Sequence, residues 1–538
     1  MYDYTLWQAN DPLVHYLASD LNYANASTTG IQRTDTLPPV FNVTGLGLNQ
    51  IGKRYQPWGT VGQLAGMGGV DVNAYNLAYK DPLAWGPDFW SFPTNKFPTV
   101  GLLTSACWRT FGDCWPAYVL LQTALSFAGA FMLARSARQN IGPHAGLATG
   151  LFALIYLNFN FAVFGGFQLE TLQAFFSILA ASAAMNSLAR DDSRDSFLVG
   201  LSAGVAAMLK PSALAVLGAF AVVMLWQYRN RIGRLLAHFA AAIAGLLIPA
   251  VVSFAYLFSA DLLKEMPAIW RQIARYASQS PWEPWDLSKP VIVLVIAGFP
   301  MLIRGFIFRR REHRAGSGRT GAESNHPILI FACLWLILEC AGVAMQRRMY
   351  AYHFLVLAAP ASLLFGLIPR KSSALSLVAA LALPMLLSVV GAAFTLKDAH
   401  DPLEHLAASD YLSAHAQPTD AVWQDGMMRL LIETDLKPGS RYPMTFLWVN
   451  DDNAPLEYCR AMLADFDRRR PKYILLPTKI DWYIDAVSNH IKELNLNPQR
   501  KKNFVSAWIE LRDYVRKNYR PEAQIGRETI YRRATPQN

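Results

Sequence analysis

The sequence predicts a polytopic α-helical membrane protein with a C-terminal soluble α/β domain, and three observations carry that expectation. From Trp115 to Phe394 the chain is a series of apolar runs separated by short polar joints, most of them close to the roughly 20 residues that a helix needs to cross a bilayer. Arginines gather in joints that fall on one side of these runs, as cytoplasmic loops require. From Thr395 onward the charged fraction rises, and segments such as AVWQDG, PKYILLPT and ETIYRR read as short strands between amphipathic helices.

Composition agrees with a divided chain. Of 538 residues 53% are hydrophobic and only 16% charged, which excludes disorder. The formal charge of +10 raises nucleic acid as a partner, but a basic soluble protein rarely carries so few charges overall. A mean hydropathy of only +0.17 is the average of a greasy block and polar flanks. Five cysteines in a chain this long rule out a disulfide scaffold. Cys107 and Cys114 flank WRTFGD and leave one disulfide open, whereas Cys333 and Cys340 lie in an apolar run and read as packing residues. The sequence has no CxxC and no HExxH, and it reads without a glycine-rich phosphate loop or a serine elbow set between a strand and a helix, so soluble nucleotide-driven chemistry has no support.

Residues 1 to 113 are polar, aromatic and loop-rich, without a stretch able to span a bilayer, and the start MYDYTLWQANDP lacks the basic region and apolar core of a secretory signal. Spans are expected at 115–134, 143–164, 167–188, 197–209, 211–228, 236–258, 290–307, 327–345, 352–369 and 374–395. The stretch 196–228 is too long for one upright helix, while its halves around Lys210-Pro211 are short for two complete spans. Charge decides between them. The basic joints are Arg135 with Arg138, Arg190 with Arg194, Arg229 with Arg231 and Arg234, the run Arg309 to Arg314, and Arg370 with Lys371; they share a side only if Lys210 is the tip of a hairpin. The positive excess is then partly a topology signal, and nucleic acid is not needed to explain it.

About ten spans with cytoplasmic basic joints place residues 1–114 and 396–538 outside the cytoplasm. A polar exported segment at the start calls for an export signal, so the expectation is a first helix that is missing or an N-terminal segment that did not evolve with the rest. The expected divisions are an exported segment 1–114, a membrane domain 115–395 and an extracytoplasmic α/β domain 396–538.

Several residues are candidates for chemistry. Lys210 lies within the apolar GVAAMLKPSALAVL; an ammonium facing lipid near the bilayer centre costs roughly 2.5 to 3.5 kcal/mol, so it should face a wet, protein-lined cavity with an anionic ligand, or else snorkel from a hairpin tip. Glu170 follows GGFQ at the start of the next apolar run, where a helix N-terminus favours a carboxylate. Helix capping alone explains it equally well, but it shares a side with Lys210. The joint QRRMYAYHF puts Arg347, Arg348, Tyr350 and His353 on that same side. Arginine forks and a tyrosine hydroxyl suit a phosphate headgroup, and an aromatic-basic lipid anchor is the plainer alternative. The segment 261–289, with PAIWRQIARYASQSPWEPWDL, reads as an interfacial amphipathic helix.

These residues resemble a family. TFGDCWPAYVLLQTALSFAGAFMLARSAR, FQLETLQAFF, GLSAGVAAMLKPSAL and HFLVLAAPASLLFGL, followed by RYPMTFLW, RRRPKYILLP and ELRDYVRKNYRPEAQIGRETIYRR, are similar in kind and order to GT-C glycosyltransferases of the protein O-mannosyltransferase and lipid A aminoarabinose transferase type. The resemblance runs from about Leu102 to Arg533. It implies transfer of a sugar from a polyprenyl-phosphate carrier to a lipid, glycan or protein acceptor at the outer face of the cytoplasmic membrane, with inversion at the anomeric carbon. In such enzymes an acid in the first external loop activates the acceptor hydroxyl, and cations hold the leaving phosphate. Carried over by position, Lys210, Arg347, Arg348 and His353 bind the carrier phosphate, and Glu170 lines the site.

The sequence establishes no cofactor and leaves a divalent metal open. In the expected first external loop VDVNAYNLAY supplies Asp71, the residue in the place of the general base, with Tyr75, and NKFPTVGLL supplies Lys96 and Pro98. The helix that precedes this loop in the family is absent. WQANDPLVHYLASDL, KRYQPWG and YNLAYKDPLAWGPDFWSFPTNKFPTVG also look like end segments of very large exported bacterial proteins linked to pilin-like secretion cassettes. On that second resemblance residues 1–101 are a foreign segment joined at FPTVG, Asp71 is a surface aspartate, and the replaced first loop leaves open whether the enzyme is active or inactive. A lipid or solute transporter would also need intramembrane charge, but repeat-built transporters often show similar halves, and these halves are dissimilar. A non-catalytic membrane scaffold is the third reading.

Overall fold

The computed structural model describes residues 115–158, 169–259, 326–345, 351–367, 407–424, 436–440, 454–477, 498–525 and 528–534, with a few isolated positions between them. Its first part is helical: α1 (Trp115–Asn140), α2 (Pro143–Leu157), α3 (Leu169–Arg190), α4 (Ser193–Leu209), α5 (Leu214–Tyr228), α6 (Ile232–Ser259), α7 (His326–Met345) and α8 (Ala358–Leu367), with short 3-10 turns at Pro211–Ala213 and Ala351–Leu357. Where expected spans fall on described residues, helices occupy them. Those at 290–307 and 374–395, the interfacial segment 261–289, and Cys107 and Cys114 lie outside the described residues. The helices differ at their ends. α1 continues to Asn140, so Arg135 and Arg138 ride on its last turns and not in a joint.

Among the described residues, four helical segments are long and apolar enough to cross a membrane: Glu170–Arg190, Pro211–Tyr228, Ile232–Ser259 and His326–Met345. Their surfaces agree. On α6, Leu235, His238, Ala242, Gly245, Pro249, Ser253 and Leu257 recur at helical spacing on the buried face, while Leu236, Ile243, Leu247, Val251 and Phe258 point outward. An aqueous helix would carry polar groups there; an apolar outer face is stable against lipid.

The chain direction follows from local chemistry. Proline disfavours helical backbone in the residue before it, and Lys210, preceding Pro211, has extended φ −153° and ψ 119°. α4 therefore stops at Leu209 and the chain turns. At the far end of this hairpin the Tyr228 hydroxyl donates to Asp191 Oδ1 at 2.5 Å, so the start of α4 meets the end of α5. At about 1.5 Å per residue, the 17 residues of α4 hold Lys210 about 25 Å from that contact.

The Asp191 end collects the basic joints. Asp191 also pairs with Arg234 and lies 3.0 Å from His238 Nε2; His238 Nδ1 meets Ser196 Oγ at 2.7 Å. Asn140 donates to Asn186 at 2.9 Å, joining the end of α1 to the end of α3. The rings of Trp226 and His326 meet at a tilt with centroids 5.6 Å apart, joining the end of α5 to the start of α7. Arginines 135, 138, 190, 194, 229, 231 and 234 are exposed there, and the opposite end holds the starts of α1 and α3, the Lys210 turn and the end of α7.

Close helix approach fixes α4 against α6. A Cβ on Gly200 would stand 1.8 Å from the Ala242 carbonyl oxygen, and one on Gly245 2.2 Å from that of Phe197. Backbones this near tolerate only hydrogen at those positions.

The remaining elements form a five-stranded sheet with helices: α9 (Ala407–His415), β1 (Ala421–Gln424), β2 (Lys437–Pro438), α10 (Ala454–Arg469), β3 (Tyr473–Pro477), α11 (Pro498–Asn518), β4 (Tyr519–Ile525) and β5 (Glu528–Arg533). The order is β2-β1-β3-β5-β4. β1 runs parallel to β2 and β3, and β5 antiparallel to β3 and β4. AVWQDG, PKYILLPT and ETIYRR contain β1, β3 and β5; β4 is a strand that the pattern did not signal, because YRPEAQI is mostly polar and exposed along an edge. The core between sheet and helices contains Trp423, Phe466, Tyr473 and Trp508.

Candidate functional site at the Lys210 turn

The turn after α4 places Lys210 beside the first turn of α3. Its Nζ donates to Glu170 Oε1 at 2.8 Å, and the two side chains are only 13% and 4% exposed. His353, on the 3-10 turn before α8, brings Nε2 to 3.9 Å from the same oxygen and is nearly as buried. The sequence expectation joined these three residues and the structure brings them together. What Lys210 faces is a carboxylate of the protein itself, and the ammonium closes a buried ion pair and does not snorkel to a surface. A lone ammonium or carboxylate in a low-dielectric interior is costly, and each neutralises the other's field.

Neighbouring polar groups extend the site along α3. Gln173, one turn beyond Glu170, donates from Nε2 to Ser212 Oγ on the turn after Lys210 at 3.3 Å. Among the described residues, the buried Thr171 Oγ1, Gln173 Oε1 and Ser177 Oγ have no hydrogen-bond partner. Buried polar atoms are seldom left so, and a group of them on the first turns of one helix marks a place where polar matter belongs. α7 closes the far wall. Gly342 lies against Ser212, with room for a Cβ only 3.2 Å from the serine Cβ.

Three residues before Gly342, α7 carries an acid that the sequence reading passed over. Glu339 is fully buried within α7, and Trp335 Nε1 donates to its Oε1 at 3.2 Å. Its signal was visible in the sequence, as the single acid inside the apolar run HPILIFACLWLILECAGVAM.

Asp71, Lys96, Arg347, Arg348 and Tyr350 lie outside the described residues. Among the described residues no group of three or more His, Cys, Asp or Glu is placed to hold a metal ion. Cys333 and Cys340 are free thiols on α7, and Cys333 is exposed, so it packs less than expected.

Residues 95–254 match the family model for dolichyl-phosphate-mannose-protein mannosyltransferases. That segment contains Glu170 and Lys210. No curated protein sequence matches the chain significantly. Among solved structures, ArnT from Cupriavidus metallidurans bound to undecaprenyl phosphate superposes with a TM-score of 0.53 at 14% identity, covering 89% of this chain and 94% of that one. The oligosaccharyltransferase AglB from Archaeoglobus fulgidus, in complex with an inhibitory peptide and a dolichol-phosphate, gives 0.46 at 12% identity, over 100% of this chain and 76% of that one. The chain is thus a multi-pass membrane protein of the GT-C glycosyltransferase fold that carries, over its first spans, the sequence pattern of the dolichyl-phosphate-mannose-protein mannosyltransferases.

Proposed function

We propose that this protein transfers a sugar from a polyprenyl-phosphate carrier to a lipid, glycan or protein acceptor at the outer face of the cytoplasmic membrane. The observation that carries this reading is the buried Lys210–Glu170 pair with His353 beside it; the pair, though not His353, lies in the segment that matches the mannosyltransferase model. Charge supports the outer side for this reading: the site lies at the end opposite the exposed arginines of the described joints, and arginine-rich joints tend to stay cytoplasmic. The C-terminal α/β unit belongs to the same outer side.

In this reading a base takes the proton of the acceptor hydroxyl as its oxygen bonds to the anomeric carbon. The bond from that carbon to the carrier phosphate breaks, its electron pair leaves with the phosphate, and the configuration inverts. Lys210 and His353, with Arg347, Arg348 and Tyr350, hold the phosphate as its negative charge grows; fixed cations in a water-poor site stabilise that charge far better than water does. Glu170 holds the Lys210 ammonium in place before the anion arrives. Asp71 is the base and Lys96 a second cation of the first external loop.

Vesicles containing the protein and a radiolabelled sugar on polyprenyl phosphate test this. Transfer is expected in the wild type and lost in Lys210→Ala. Transfer that survives Lys210→Ala removes the phosphate-binding role, and transfer unaffected by Asp71→Asn removes Asp71 as base.

A further inference from the structure

The turn after α4 is a closed unit. The Lys210 N–H donates to the Ala206 carbonyl at 2.9 Å, and the Ala213 N–H to the Lys210 carbonyl at 3.0 Å, so Ser212 and Lys210 shift together. Among the described residues, two side-chain contacts tie this turn to α3. One is ionic, Lys210 Nζ to Glu170 Oε1 at 2.8 Å. The other is neutral, Gln173 Nε2 donating to Ser212 Oγ at 3.3 Å. Glu170 and Gln173 are three positions apart and lie on one side of the helix, and Gln173 has no exposed surface. A buried amide in an apolar helix is costly unless its polar atoms are partnered. Here Ser212 partners Nε2, while Oε1 has no partner among the described residues. Packing alone would be better served by leucine.

The two ties differ in what an arriving anion does to them. A phosphate held by Lys210 competes with Glu170 for the ammonium, so the ionic tie loosens when the lysine is in use. The amide–hydroxyl bond carries no net charge and keeps its strength. We propose that Gln173 is a positioning residue for Lys210: its bond to Ser212 holds the 210–213 turn on α3 while the ammonium passes from Glu170 to the carrier phosphate. This rests on the carrier-phosphate site proposed above and adds to it a residue that acts through the backbone beside the lysine.

Because the neutral tie matters most when the ammonium is engaged elsewhere, its loss should show in binding more than in the stability of the free protein. The full chain in detergent, with undecaprenyl phosphate as the probe, gives both measurements. Gln173→Leu is expected to weaken binding about three- to tenfold, close to the whole worth of one neutral hydrogen bond. Ser212→Ala, which cuts the same contact from the other side, should match it. Either single variant strands one polar partner and lowers the melting temperature. The double variant strands none, so its melting temperature should return close to that of the wild type while binding stays as weak as in the singles. A purely structural role predicts that affinity recovers with stability. The residual affinity of Lys210→Gln should not fall further when Gln173→Leu is added, because the influence passes through the lysine. Binding that is unchanged in Gln173→Leu, or restored in the double variant, overturns the proposal, as does a loss of equal size when Lys210 is already gone. A wild type that binds no undecaprenyl phosphate overturns the carrier-phosphate site and the role of Gln173 together; a wild type that binds while Gln173→Leu binds equally well removes only the latter.

Discussion

Lys210 and Glu170, 40 positions apart, meet through Nζ and Oε1 at 2.8 Å, at a point where two helices of a membrane domain begin or end. Neither side chain is more than 13% exposed. The pair joins the first turn of α3 to the turn between α4 and α5, so one contact both ties three helices together and stores a cation beside an anion in a low-dielectric setting. Its worth to stability is asymmetric. Desolvation of both charges offsets most of their attraction, whereas loss of one partner strands the other.

Glu170→Ala should therefore cost about 3 to 5 kcal/mol, and the double variant Glu170→Ala with Lys210→Met should recover most of that, since no buried charge is left unpaired. Thermal melting of the detergent-purified chain measures both. Equal melting of the single and double variants would mean that the pair is screened and not buried. Neither variant should transfer sugar, which separates stability from function.

The contact between α4 and α6 gives a second, purely steric prediction. Gly200 and Gly245 lie within 1.8 Å and 2.2 Å of opposing carbonyl oxygens when a Cβ is added, and those neighbours are backbone that cannot rotate away. Alanine at either position forces the helices apart and should destabilise by about 1 to 3 kcal/mol or more. Gly233, on the same α6 but with open space around it, is the control: alanine there should be neutral or stabilising by up to about 1 kcal/mol, its helix propensity being higher. A Gly245→Ala protein that melts like Gly233→Ala would show that α4 and α6 do not touch there.

At the opposite end of the bundle, Asp191 gathers Tyr228, His238 and Arg234 while holding a positive φ of 58° that side chains other than glycine seldom adopt. The network closes the hairpin whose tip carries Lys210. Tyr228→Phe removes a single bond to a charged acceptor and should cost about 1.5 to 3 kcal/mol, read from the melting temperature. A melting temperature unchanged from the wild type would place the hydroxyl in contact with solvent and not with Asp191.

How much of this was legible follows from how each feature is encoded. Lys210 announces itself because a charge and a proline interrupt an otherwise apolar stretch, and proline's effect on the preceding residue is local chemistry. Glu170 is visible for the same reason, as an acid at the start of a run. Glu339 was equally visible by type, yet its complete burial depends on how α7 packs, which no local pattern states. The Asp191, His238 and Ser196 network is harder still: its members sit on a joint and two helices, and each is unremarkable alone. In the C-terminal unit the short apolar runs of β1 and β3 and the Thr-Ile-Tyr of β5 marked them as strands, but β4 pairs as an edge whose exposed side chains leave little hydrophobic trace.

The C-terminal unit supplies a dependence on pH whose sign is fixed by two aspartates. Burial alone would raise the pKa of Asp420, but the Gln417 backbone N–H at 2.8 Å and Lys472 Nζ at 2.6 Å both donate to its Oδ2, and with the charges of Lys472 and Arg532 they hold the carboxyl below its ordinary range. Asp481 is likewise raised by burial and lowered further by Arg512 and Arg516. An aspartate in the unfolded chain ionises near about 3.9. Since both folded values lie below their unfolded ones, the folded state favours the ionised form; the stabilisation is full above the unfolded value and is lost as pH falls through the folded value. Asp420 joins the segment before β1 to the start of β3, so acid should loosen that junction first. Hydrogen exchange of the full chain in detergent, corrected for intrinsic rates and followed from about pH 6 to pH 3, should show protection of residues 415–424 and 472–477 level above about pH 4 and falling below it. Asp420→Asn should flatten the acid response of these peptides while leaving that of 508–518, beside Asp481, in place. The same acid transition in Asp420→Asn as in the wild type would move its origin to another group.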